Sequence, residues 1–121
     1  MNRNDSQLIQ KIRVYLDLNL YKRHSIRELC RRFTITRVGL QSGFHAEVGT
    51  TVHAYLIRQR MKIAACRLAG TDDPIKAIAW DSGYRRQRSF CKMFKSVYNL
   101  TPGKYRQLTR GRNGWDKNLP L

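Results

Sequence analysis

The sequence predicts an all-α protein of seven helices. Apolar residues recur at three- and four-residue steps almost throughout, and capping residues or glycines separate the periodic segments. No segment alternates apolar and polar residues for long enough to form a strand. With 121 residues, of which 41% are hydrophobic, the chain has the length of one domain, or of two very small units sharing a core.

The first two helices follow good capping residues. The first is expected near residues 5–18, with Asp5 or Ser6 as its cap. The second follows Ser25, which forms a capping box with Glu28 three residues later. The residues expected to face inward on these two helices are Ile9, Ile12, Tyr15, Leu16, Ile26, Leu29, Cys30 and Phe33.

The third and fourth helices lie on either side of a glycine stop. The third helix follows a break at residues 34–36 and ends at Gly49. The fourth runs from Thr51 to Gly70, and at 1.5 Å per residue it would span roughly 28 Å. Their expected inward residues are Leu40, Phe44, Val48, Val52, Tyr55, Leu56, Met61, Ala64, Ala65 and Leu68.

Three shorter helices complete the chain. Asp73 as cap and Pro74 as first helical residue begin the fifth, which stops around Ser82-Gly83. The sixth runs from about residue 86 to 97, and Thr101-Pro102 begins the seventh. Their expected inward residues are Ile75, Ile78, Ala79, Phe90, Phe94, Val97, Tyr105 and Leu108.

Part of this pattern occurs twice. Residues 26, 29 and 30 match residues 75, 78 and 79 at an offset of 49, and after the turn the offset becomes 50. The later pairs are Leu40 with Phe90, Phe44 with Phe94, and Tyr55 with Tyr105. The repeated unit is a short helix, a tight turn and a longer helix with a polar outer face, which is a helix-turn-helix. The predicted organisation is a first subdomain over 1–50, a linker helix over 51–70, a second subdomain over 71–109 and a flexible basic tail over 110–121.

The charge indicates a polyanionic partner. The net charge is +16, and residues 85–121 carry ten basic side chains against one acid, Asp116. Nucleic acid is the expected partner, although charge alone would also suit a solvated basic surface or a ribosome- or membrane-associated tail. Neither a membrane span of about 20 apolar residues nor a secretory signal is present in the sequence. We therefore expect an intracellular protein.

The outward residues near the start of the third and sixth helices could contact bases. Glutamine can read adenine, arginine can read guanine or hold a phosphate, and valine can cover a thymine methyl group. The outward residues are Arg37, Val38, Gln41 and Ser42 on the third helix, and Arg85, Gln87, Arg88, Cys91 and Lys92 at the sixth. The first turns of such helices also direct free N–H groups toward an anion.

Over residues 8–109 the chain resembles the DNA-binding domain of the AraC/XylS family of bacterial transcription regulators. The densest match is Ile75-x-x-Ile78-Ala79-x-x-x-Gly83-Tyr84, Phe90-x-x-x-Phe94-Lys95 and Leu100-Thr101-Pro102-x-x-Tyr105-Arg106. The first half matches through Ile26-x-x-Leu29-Cys30, Leu40-x-x-x-Phe44, Val48-Gly49, Tyr55-Leu56 and Arg60-Met61-x-x-Ala64.

The resemblance implies that a long fourth helix joins two helix-turn-helix units whose recognition helices enter successive major grooves on one face of DNA. The implied base-reading positions are Val38, Gln41, Ser42, Gln87, Arg88, Cys91 and Lys92. Phosphate candidates are Thr36, Arg85, Arg86, Lys104 and Arg106. The resemblance further implies a transcription activator that is cytoplasmic and associated with the nucleoid. This activator would bind DNA as a monomer and contact RNA polymerase. The chain is expected to be a stand-alone member, like the small stress and antibiotic-resistance activators.

Two other classes of function are alternatives to a transcription regulator. An enzyme is disfavoured, because the eight acidic residues are scattered and the three histidines have no metal-ligand spacing. Neither a metal nor another cofactor is expected. The sharpest enzymatic possibility is a reactive thiolate at Cys91, near Arg88, Lys92 and Lys95. The second class is a sequence-independent architectural binder of nucleic acid, held by phosphate contacts alone. Gly39 and Gly43 inside the third helix leave open whether the first unit reads bases.

Overall fold

A computed structural model describes residues 3–110 of the chain. This range contains seven helices and no strand, so the all-α prediction is confirmed. The helices are α1 (Arg3–Leu18), α2 (Ile26–Phe33), α3 (Arg37–Val48), α4 (Val52–Gly70), α5 (Ile75–Asp81), α6 (Gln87–Tyr98) and α7 (Pro102–Thr109). None of these helices combines the length and the apolar character that crossing a membrane requires. From residue 111 onward, the predicted tail lies outside the described residues.

The chain divides into two compact units, Met1–Ile57 and Arg58–Leu121, with the division inside α4. The first unit contains α1, α2, α3 and the beginning of α4. The second contains the remainder of α4 together with α5, α6 and α7.

In the first unit, α1 packs on both α2 and α3. The ring of Tyr15 meets Phe33 edge to face, with 5.4 Å between centroids, which joins α1 to α2. The ring of Phe44 meets Tyr55 in the same way at 5.5 Å, which joins α3 to α4. The buried apolar residues of this unit are Ile9, Ile12, Leu16, Leu20, Leu29, Leu40, Phe44, Val52, Tyr55 and Leu56.

In the second unit, aromatic rings from α6 and α7 form the centre of the core. Phe94 stacks on Tyr98 at 4.7 Å and meets Tyr105 edge to face at 5.4 Å. Burial raises the pKa of Tyr98 to about 12, with smaller contributions from Tyr105 and Cys66. The buried apolar residues here are Met61, Ala64, Ala65, Leu68, Ala69, Ile78, Ala79, Phe90, Phe94, Tyr98 and Tyr105.

Two predicted helix starts are wrong. Helix α1 already begins at Arg3, so Asp5 lies in its first turn and neither Asp5 nor Ser6 caps it. At α5, Pro74 takes the cap position, because its carbonyl accepts the first helical hydrogen bond, from Ile78 N at 3.1 Å. The Asp73 carboxylate, predicted to cap α5, is bound by a guanidinium group of α4 instead.

The predicted inward face of α7 is also partly wrong. Leu108 is 53% exposed, whereas Thr109 is buried and its hydroxyl donates to the Tyr105 carbonyl at 2.7 Å. Residues four apart lie on one face of a helix, so Tyr105 and Thr109 define the buried face. A polar residue can occupy this position because its hydroxyl is satisfied by the helix itself.

Candidate nucleic-acid interface

The turns between α2 and α3 and between α5 and α6 have the same backbone geometry. In the first unit Thr34 has φ 50°, and Ile35 N donates to the Cys30 carbonyl at 3.1 Å. In the second unit, 49 residues later, Gly83 has φ 94°, and Tyr84 N donates to the Ala79 carbonyl at 3.0 Å. The repeat predicted from side-chain spacing is therefore confirmed in the backbone, and each unit contains a helix-turn-helix.

The repeat continues through the end of the second helix of each pair. Gly49 (φ 87°) ends α3, and Asn99 (φ 61°) ends α6 fifty residues later. Thr51 and Thr101 then cap α4 and α7, each accepting from the backbone N–H three residues on, at 3.1 and 3.2 Å. Both α3 and α6 are thus delimited by equivalent residues.

The capping geometry at the start of α3 explains why residue 39 is a glycine. The Thr36 hydroxyl caps the helix by accepting from Gly39 N at 3.0 Å. A Cβ atom on Gly39 would lie 2.9 Å from Thr36 Oγ1, closer than unstrained contacts allow. Glycine at position 39 therefore lets this cap close. The helix is continuous from Arg37 to Val48 although it contains both Gly39 and Gly43.

The predicted base-reading residues of α3 all lie on its exposed side. Arg37, Gln41 and Ser42 are exposed, and Val38 is 72% exposed. The opposite side of the helix is held in the core, where Leu40 and Phe44 are fully buried. A polar face near the helix N-terminus is thus presented by a rigid element, as groove reading requires.

The basic residues predicted to face outward on α6 are exposed, whereas Cys91 is not. Gln87, Arg88 and Lys92 are exposed, as are the turn residues Arg85 and Arg86. Phe90 and Phe94, which face the core, are fully buried. Cys91 is half-buried, and this burial raises the pKa of its thiol. This direction does not favour a thiolate at Cys91, because burial disfavours the charged form.

The two predicted phosphate contacts of α7 have different surroundings. Lys104 is exposed in the first turn of the helix. Arg106 is partly buried, and it donates from Nε to the Leu68 carbonyl at 3.1 Å and from Nη2 to the Thr71 carbonyl at 3.2 Å. These bonds tie α7 to the end of α4.

One basic pocket of the first unit includes Arg37 of the predicted contacts and two arginines of α2 that were not predicted. It has a volume of about 370 Å³ and lies where α2 meets α3, lined by Ile26, Arg27, Cys30, Arg31 and Arg37. The sequence signal for it is the pair Arg27 and Arg31, four residues apart and therefore on one face of α2.

The chain contains two helix-turn-helix units, and each exposes a polar face at the start of its second helix. Together with the net charge of +16, these units define a helix-turn-helix DNA-binding protein. The comparisons with known proteins agree with this class. The family model of a helix-turn-helix domain matches residues 29–108.

Several regulators of known sequence are similar to the chain. The HTH-type transcriptional activator AarP of Providencia stuartii is 32% identical over 108 residues, which is 89% of this chain and 80% of AarP. The regulatory protein SoxS of Salmonella typhimurium is 29% identical over 100 residues, covering 83% of this chain and 94% of SoxS. Two further relatives, from Photobacterium leiognathi and Haemophilus influenzae, are longer, and the match spans 39% and 28% of their lengths.

Among solved structures, the C-terminal domain of AraT, a response regulator from Geobacillus stearothermophilus, is similar to the chain with a TM-score of 0.80. The two are 25% identical, and the match covers 85% of this chain and 86% of that domain. The chain belongs to the AraC/XylS family of transcription regulators. This membership places it among DNA-binding regulators rather than enzymes.

Proposed function

We propose that the chain regulates transcription by binding a specific duplex sequence, with α3 and α6 as recognition helices in two successive major grooves. The observation that carries this proposal is the repeated helix-turn-helix, in which both second helices expose side chains able to form hydrogen bonds with base edges. The glutamines at positions 41 and 87 can form two hydrogen bonds with an adenine edge, which gives both helices side chains suited to base reading.

The proposal extends to partners and location. We propose that the chain binds DNA as a monomer, because its two units already supply two recognition helices. By its likeness to AarP, which is described as a transcriptional activator, we propose that it activates transcription through contact with RNA polymerase. As a DNA-binding regulator it would work in the bacterial cytoplasm, on the nucleoid.

A binding selection tests this function. Randomised duplexes of about two helical turns are selected, and the winner and a scrambled control are titrated at one fixed salt concentration near 150 mM. A motif of two blocks with centres about one helical turn apart, and a cognate-to-scrambled ratio of about 10³ or more, is expected. A single block would confine base reading to one unit. The absence of any motif, with a ratio near one, would instead indicate an architectural binder.

A further inference from the structure

Three arginines border the pocket between α2 and α3. Arg27 and Arg31 lie on successive turns of α2, and Arg37 is the first residue of α3. All three are exposed, whereas Ile26 and Cys30, which complete the lining, are partly buried. Three arginine side chains therefore line an open pocket of about 370 Å³ together with Ile26 and Cys30.

The ion pairs of residues 3–110 do not include these three groups. Among the described residues, no carboxylate lies within ion-pair distance of Arg27, Arg31 or Arg37. Like charges four residues apart on a helix repel each other, so the pair on α2 opposes folding slightly. An anion in the pocket would remove this repulsion, and the planar guanidinium fork matches the oxygens of a phosphate.

The position of the pocket favours the DNA backbone as the source of such a phosphate. Arg37 directly follows Thr36, the cap of the recognition helix α3, where free N–H groups point away from the helix. In a docked helix-turn-helix the first helix crosses the DNA backbone while the second enters the groove. A pocket at the corner of these two helices therefore lies where a backbone phosphate passes.

The second unit lacks this arrangement. At the offsets that relate the two units, Lys76, Trp80 and Gln87 occupy the places of Arg27, Arg31 and Arg37. One cation thus replaces three, and the aromatic ring of Trp80 is 68% exposed where the first unit carries a guanidinium group. The set of three arginines belongs to the first unit and is not repeated at the matching positions of the second.

We propose that the pocket of Arg27, Arg31 and Arg37 binds one phosphate of the DNA backbone beside the bases that α3 faces. This inference rests on the proposed function and adds a backbone anchor to the unit whose recognition helix carries two glycines. It assigns α2 a direct part in DNA binding, which the recognition helices alone would not require.

The first test measures salt dependence on a random-sequence duplex, which does not depend on finding an operator. Arg31→Gln is expected to reduce the slope of log affinity against log salt by about 0.9, the loss of one phosphate contact, and to weaken binding about eightfold near 100 mM salt. Arg31→Lys keeps the charge and should retain the slope. Lys11→Gln, which removes one exposed charge from α1 of the same unit, is the matched control and should leave the slope unchanged. An unchanged slope in Arg31→Gln, with native circular dichroism, would overturn the proposal.

The second test locates the phosphate. Single neutral methylphosphonates are placed along the best selected duplex and titrated with the unaltered protein and with Arg31→Gln. At one position beside the first block, neutralisation should weaken the unaltered protein but not the variant. Equal losses at every position would contradict the proposal that the pocket binds one phosphate.

The outcomes also separate this proposal from the proposed function. If the selection yields no motif while Arg31→Gln still lowers the salt slope, specific recognition fails and the phosphate pocket is retained. Binding of inorganic phosphate at a few millimolar that Arg31→Gln abolishes, together with an unchanged salt slope on DNA, would assign the pocket to free phosphate instead.

Discussion

The ring of Phe44 meets the ring of Tyr55 edge to face, with centroids 5.5 Å apart and ring planes at 79°. Fifty residues later, Phe94 and Tyr105 make the same contact at 5.4 Å and 77°. Each pair joins a recognition helix to the helix that follows it. The two units therefore support α3 and α6 with the same aromatic contact, which fixes the rotation of each helix about its axis and so the face that it exposes.

The hydroxyl groups of these two tyrosines have different surroundings, which allows a matched test. The Tyr55 hydroxyl donates to Asp17 Oδ1 at 2.5 Å and accepts from Arg13 Nε at 3.4 Å. For Tyr105, the hydrogen bonds of residues 3–110 include none from its hydroxyl, and burial is the main cause of its raised pKa. Tyr55→Phe should lower the free energy of unfolding by about 1 kcal/mol, and Tyr105→Phe should change it much less. Urea denaturation of both variants measures the difference, and equal losses would contradict this account.

The left-handed residue of each turn gives a second prediction. Thr34 holds φ 50°, a conformation that costs a residue with a Cβ atom about 1–2 kcal/mol, and glycine occupies the equivalent position 83 at φ 94°. Thr34→Gly should therefore raise the free energy of unfolding by about 0.5–1 kcal/mol, after allowing for the added freedom of the unfolded chain. Gly83→Thr is the reverse change and should be destabilising. Thermal denaturation of both variants checks the signs, and a destabilised Thr34→Gly protein would refute the prediction.

A third prediction concerns Arg67, which the sequence did not single out. Its guanidinium group bonds Asp73 at 3.0 Å and Asp81 at 2.8 Å, and so connects α4 to both ends of α5. The hydrogen bond from Arg67 holds the pKa of the Asp73 carboxyl below its usual range. A depressed pKa in the folded state contributes stability above the unfolded value of about 4, and that contribution is lost as the pH falls through the folded value.

Arg67→Gln should therefore lower the melting temperature at pH 7, and the difference from the unaltered protein should shrink as the pH falls below about 4. In the same variant, the carboxyl carbon signal of Asp73 should titrate at a higher pH. Arg110→Gln is the control, since Arg110 pairs with Asp72 and should leave the Asp73 titration unchanged. A melting difference that is constant down to pH 2 would exclude this linkage.

Features that depend on residues near each other in sequence were predictable. The periodic spacing of Leu40 and Phe44, and of Phe90 and Phe94, determines which sides of α3 and α6 are buried and therefore which residues are exposed. Partners on a different helix were not predictable. The sequence around Asp73 suggests a helix cap, because Pro74 follows it. In the structure, its carboxylate instead accepts a hydrogen bond from Arg67, six residues earlier on α4.

Charge patterns had the same limit. In the sequence, Arg106 is one more cation of a basic region. In the structure, its guanidinium group donates to the carbonyls of Leu68 and Thr71, which lie 38 and 35 residues earlier. The basic neighbours of Cys91 are evident in the sequence, whereas the burial that raises the pKa of its thiol depends on the packing of the folded chain.

The last prediction concerns the residues that read bases. Gln41 and Gln87 are exposed on the recognition helices, next to side chains that are fixed in the core. Gln41→Ala and Gln87→Ala, and likewise Arg88→Ala, should each weaken binding to the selected duplex by roughly 1–3 kcal/mol with little effect on a scrambled duplex. The cause is the loss of hydrogen bonds to base edges, which exist on the cognate site only.

Lys104→Ala supplies the contrasting control for these variants. Lys104 is exposed at the start of α7, and a phosphate contact there would be lost equally on both duplexes. This variant should weaken both complexes alike and reduce the salt slope by about one, whereas the glutamine variants should leave the slope unchanged. Titrations of all four proteins on both duplexes at several salt concentrations separate the two kinds of contact. If Gln87→Ala weakened both complexes equally, position 87 would hold the backbone and α6 would have to read its groove through Arg88 or Lys92.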